Sequence, residues 1–283
     1  MKVSMHSKHF LLYFLIFISN FTQSSCEKTT SDHTITVFVH GTTIARTFLQ
    51  YTPFRPLIYC PQGLSLIKKL PKKYHFHKMA QGFVDRNQHL YSLDQLYIFG
   101  WKSEHVHNSM RMQAAKDLVY ALELLVQKYY KQHNVIPAIR LIGFSHGGNV
   151  VLHTANYLPL IINDEQIHVD AWLFGTPVQQ INQEQVNSDN FQKVYSIYSK
   201  KDWLQRMDPQ GLYNKKCRKK YFWSNRTFEP EYRCIQANFT VNTKPISHSY
   251  YRCILKHFPT IQELIELKSQ DLYSTMIAIN LET

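Results

Sequence analysis

The stretch Leu141-Ile142-Gly143-Phe144-Ser145-His146-Gly147-Gly148 most constrains what this chain can fold into, because an apolar strand runs into Gly-x-Ser-x-Gly and out into a helix. A reversal that abrupt drives the serine into a strained backbone conformation. Glycines two residues to either side keep side chains off the adjoining strand and helix. The hydroxyl of Ser145 then stands exposed above the sheet. Pro137 to Ile142 reads as a short buried strand, and Asn149 to Leu158 as a helix with Val150, Val151, Ala155 and Leu158 available for packing.

The rest of the chain alternates in the same way. Thr34 to Val39 is a β-branched run ending in His40-Gly41-Thr42-Thr43, and Leu96 to Phe99 is a second strand ending in Gly100-Trp101. A helix is expected from about Ser109 to Gln132, where Ala115, Leu118, Leu122, Leu125 and Tyr129 form an apolar stripe that would face a sheet. Strands follow at His168 to Phe174, closed by Gly175-Thr176-Pro177, and at Lys193 to Tyr198, just before Lys200-Lys201-Asp202. Strands alternating with helices predict an α/β fold with a mostly parallel sheet covered on both faces.

Two stretches fit this alternation poorly and are read as covering insertions. Residues 44–92 hold Pro53, Pro56, Pro61 and Pro71, while residues 209–245 hold Tyr221 to Trp223 and Tyr232 to Val241, a hairpin or a last strand. Thr260-Ile261-Gln262-Glu263 has the capping-box pattern and is expected to open a final helix.

A serine used as a nucleophile needs a base, a group to orient that base, and donors for the developing oxyanion. Over residues 30–283 the chain resembles the α/β-hydrolase fold superfamily. The elbow at Ser145, the His40-Gly41 loop and the Phe99-Gly100-Trp101 strand end look like those of its lipase and carboxylesterase members. The resemblance implies a mostly parallel central sheet flanked by helices, with the triad in chain order serine, acid, histidine. Asp202 beyond one late strand and His248 beyond the last possible one then complete it, with His257, Asp208 and Asp170 the weaker candidates among fifteen histidines and several acids. It also implies an oxyanion hole from the backbone amides of Thr42 and His146, with His40, Gly41, Gly143 and Gly147 as supporting positions.

The chemistry so implied is acyl-ester hydrolysis through an acyl-enzyme, on a small-molecule or lipid substrate. Thioester hydrolysis and acyl transfer use the same intermediate and stay open, as does a catalytically silent hydrolase-fold protein that binds a membrane or partner. No cofactor or metal is expected, and the cysteine spacing matches no zinc site.

Lys2 and Lys8 precede an apolar run from Phe10 to Ile18, which reads as a secretory signal peptide over residues 1–25 or as a retained anchor. Export to the periplasm or beyond is the expected destination. Cys26 follows two small residues, but Gln23 stands where a lipoprotein signal expects an aliphatic one. Cys60, Cys217, Cys234 and Cys253 then suggest one or two disulfides, their pairing open. The formal net charge is +12, and Lys215, Lys216, Arg218, Lys219 and Lys220 adjoin Tyr221, Phe222 and Trp223. That combination suits an anionic membrane surface or a solvated loop; with no reading motif present, nucleic acid is not expected.

Overall fold

The computed structural model describes residues 33–42, 51–53, 55–104, 107–207, 224–229, 234–269 and 276–283. The expected signal peptide, Cys26, Cys217 and the basic-aromatic segment 215–223 lie outside the described residues.

Every residue of Thr34–Val39 is β-branched or aromatic, and this run forms β1, buried from Ile35 onward. It lies inside the sheet, parallel to β3 (Leu96–Gly100) on one side and β4 (Ala138–Phe144) on the other. Beyond β4 the sheet continues in parallel through β7 (Val169–Phe174), β8 (Lys193–Tyr198) and β9 (Cys234–Val241). The edge beside β3 is closed by the antiparallel strand β2 (Gly63–Leu66). A separate small hairpin joins β5 (Ile161–Ile162) to β6 (Glu165–Gln166).

Because side chains alternate along a strand, Val37, Leu141, Ala171 and Leu173 point to one face of the sheet, and Phe38, Ile142, Trp172 and Phe174 to the other. The first face is covered by α3 (Asn108–His133) and α4 (His146–His153). On α3 the stripe Ala115, Leu118 and Leu122 is wholly buried, and Leu125 and Tyr129 pack at its margin. The second face takes α2 (His75–Arg86), α6 (Tyr251–Ile254) and α7 (Phe258–Ser269), with Phe258 stacked on Phe83 at 5.1 Å and edge-on to Trp172 at 4.9 Å. This sheet order, with helices on both faces and a strand–turn–helix at Ser145, is that of an α/β-hydrolase.

Two expectations need correction. Val241 does not end the sheet: β11 (Met276–Leu281) runs parallel to β9, burying Ile277, Ile279 and Leu281, while β9 also turns back into the short antiparallel β10 (Lys244–Pro245). The last helix does not open at Thr260; Leu255–His257 is already a 3-10 turn leading into Phe258, so Thr260 sits inside the first turn. The thiols of Cys60, Cys234 and Cys253 form no disulfide with one another: Cys60 and Cys234 are buried in the cores on opposite faces of the sheet, and Cys253 is exposed on α6. Of residues 44–92, the described ones build α1 (Arg55–Ile58), β2 and α2. Among the described residues no helix is long and apolar enough to cross a membrane.

Candidate active site

The site is built where β1, β4, β7 and β8 end side by side, at the carboxyl edge of the sheet. Between β4 and α4, Ser145 takes φ 54° and ψ −130°, a conformation that costs a non-glycine residue about 1–3 kcal/mol and persists only where its surroundings impose it. Its amide donates to the Phe174 carbonyl at 2.9 Å, and its carbonyl accepts from Gly148 at 2.9 Å. The glycines are required by close approach: a Cβ at Gly143 would lie 2.5 Å from the Cα of Gly148, and one at Gly147 would run into the Val39 carbonyl. The β1 loop passes just as close, since a Cβ at Gly41 would be 2.8 Å from that of Ser145.

Asp202 follows β8 and is fully buried. Its Oδ1 accepts the amide of Gln205 at 2.9 Å, capping α5 (Trp203–Met207), and its Oδ2 meets His248 Nδ1 at 2.8 Å. A carboxylate only accepts, so Nδ1 carries the proton and Nε2 is left as an acceptor. Arg226 holds the backbone at this turn, donating from Nε to the Asp202 carbonyl at 3.0 Å. The His248 ring lies 5.0 Å from that of Phe144, the residue before Ser145, and 6.2 Å edge-on to Tyr251. Tyr251 is wholly buried against Phe174 and Gly175, and burial with the nearby Asp202 charge holds its hydroxyl well above the usual phenol range. His257 sits in the following 3-10 turn, and Asp170 on β7, where burial raises its carboxyl. Neither meets the Asp202–His248 pair, and Asp208 lies outside the described residues.

Thr42 lies three residues beyond the end of β1 and His146 opens α4, the two positions expected to supply oxyanion donors. His40 braces its loop against β3: its carbonyl accepts from Trp101 Nε1 at 2.8 Å, its Nδ1 meets the Gly41 carbonyl at 2.7 Å, and its ring stacks on Trp101.

A polar network under the elbow was not anticipated. Arg111 and Asn149 both donate to His146 Nδ1, at 2.9 and 3.3 Å, so His146 keeps its proton on Nε2. Arg111 also donates to Gln179 at 2.8 Å, and Asn182 donates to Asn149 at 2.8 Å. The available signal was Arg111 itself, one helical turn before Ala115 on the apolar stripe of α3. Among the described residues no group of three or more His, Cys, Asp and Glu is placed to hold a metal ion.

No protein-family profile matches the chain, and no curated protein does. Among solved structures it is similar to an uncharacterized protein from Bacillus cereus ATCC 10987 (14% identity, 92% of this chain and 68% of that one, TM-score 0.39). It is also similar to a predicted CIB-like hydrolase from Thermoplasma acidophilum (14%, 85% and 88%, TM-score 0.37). A third is a lipase-esterase related protein from Clostridium acetobutylicum ATCC 824 (14%, 58% and 52%, TM-score 0.25). Superpositions this loose carry no inference about activity; the α/β-hydrolase fold of this chain rests on its own sheet order and on the turn at Ser145.

Proposed function

We propose that this chain is a serine hydrolase that cleaves acyl esters through an acyl-enzyme. The observation that carries the reading is the 2.8 Å pair between His248 Nδ1 and the buried Asp202, beside a serine at φ 54° between strand and helix. Ser145 attacks the ester carbonyl while His248 Nε2 takes its proton, and Asp202 holds the tautomer and stabilises the imidazolium. The amides of Thr42 and His146 receive the oxyanion. His248 then returns the proton to the departing alcohol, and water, activated by the same base, releases the acid.

The test is a panel of 4-nitrophenyl esters of different chain length, with thioester counterparts, on the wild type and Ser145→Ala. The variant should lose about a thousandfold or more in kcat, and adding His248→Ala should cost little further, because a broken triad fails as a unit. Near-wild-type turnover by a folded Ser145→Ala, or losses that multiply, would overturn the assignment.

A further inference from the structure

The cavity that shares Gly41 and Phe144 with the Ser145 site has an unusual charge. Its interior is small, about 30 Å³, and Phe38, Leu57, Ile58, Phe76, Ile142 and Leu255 make most of its lining apolar. Arg252, on α6, stands in that lining with its guanidinium 5.5 Å from the Phe144 ring. It makes no ion pair or hydrogen bond among the described residues, although it is half-buried and loses solvation enough to lower its pKa. A guanidinium usually meets a carboxylate or phosphate under such conditions, because the face of an aromatic ring returns only part of the lost hydration.

A second polar group in the same lining also lacks a partner. His75 Nε2 is buried with no hydrogen bond among the described residues, and burial with the nearby Arg252 charge lowers the ring's pKa to about 4. His75 is therefore neutral near pH 7, leaving Arg252 to supply the positive charge of the described lining.

We infer that this cavity receives an anionic group of the substrate, a carboxylate or a phosphate at the end of a short apolar segment, and that Arg252 is the residue that selects it. The inference rests on the ester-hydrolase reading for the reaction, and on the cavity alone for the binding. The cavity would hold the anion itself, and Arg252 would donate to it in a charge-assisted, two-pronged contact.

Two substrate pairs test it, one with the anion on the acyl side and one with it on the alcohol side: 4-nitrophenyl hemiglutarate against 4-nitrophenyl valerate, and carboxymethyl butyrate against ethyl butyrate. In at least one pair the wild type should prefer the anionic ester by about tenfold or more in kcat/KM. Arg252→Gln should cut that ratio about 10- to 100-fold, and Arg252→Lys should keep part of it. A merely structural role would lower both members of a pair together. Calorimetric binding of glutarate and of propyl phosphate to the wild type and both variants separates carboxylate from phosphate, and needs no turnover. Ratios unchanged by Arg252→Gln, or binding of both probes that is absent or indifferent to residue 252, would overturn the inference. If no ester is cleaved by the wild type, the ester-hydrolase reading fails and the calorimetry alone decides the cavity.

Discussion

Asp202 has two duties that can be taken apart. One carboxylate oxygen caps α5 through Gln205, and the other fixes His248. Asp202→Asn keeps an oxygen for the cap but removes the anion that stabilises the imidazolium, and its amide can present a donor where Nδ1–H needs an acceptor. The variant should stay folded by near-UV circular dichroism while kcat for a 4-nitrophenyl ester falls by about a thousandfold or more. Activity within tenfold of wild type would place the orienting acid elsewhere.

At the scale of elements, the elbow helix α4 is tied to α3 by polar contacts that bear on stability. His153, the last residue of α4, sits 2% exposed with its Nε2 on Asn108 Oδ1 at 2.8 Å. Burial, with Arg111 adding to it, lowers its pKa from 6.5 to about 4. A folded pKa below the unfolded one means the unfolded chain binds the extra proton first. The stability held by neutral His153 is thus fully present above about pH 6.5 and is lost as the pH falls towards 4. At about 1.4 kcal/mol per pH unit, the loss is on the order of 2–3 kcal/mol. Urea unfolding between pH 7.5 and 4.5 should show a shallower decline for His153→Gln, which retains an amide donor for Asn108. Identical slopes would show that α4 is not titrating through this residue.

For the whole molecule, charge is the property that acts beyond the site. A net +12 on 283 residues favours anionic surfaces, and Lys215 to Lys220 beside Tyr221 to Trp223 concentrates cations next to rings that suit a headgroup layer. Each engaged cation contributes about 1 kcal/mol near anionic lipid. Replacing Lys215, Lys216, Lys219 and Lys220 with Gln should therefore weaken salt-dependent binding to phosphatidylserine vesicles in a sedimentation assay, with hydrolysis of a soluble ester nearly unchanged. Equal binding by both proteins would leave the cluster a solvated loop.

What the sequence by itself determined is what local interactions decide. The β-branched run of β1, the glycines flanking Ser145 and the apolar stripe of α3 each follow from residues within a few positions of one another, and each was legible. The alternating buried positions Ile277, Ile279 and Leu281 of β11 carry the same kind of local signal. The family resemblance pointed to His248 among fifteen histidines, but only the tertiary structure brings it onto Asp202, 46 residues away, through the order of β8 and β9 in the sheet. The same holds for the buried pairing of Arg111 with His146 across 35 residues, for the separation of Cys60 from Cys234 by the sheet, and for Arg252, without an ion pair among the described residues, in the wall of a cavity. Periodicity shows which face of an element is apolar, but the partner of a buried polar group depends on which elements the packed sheet sets side by side.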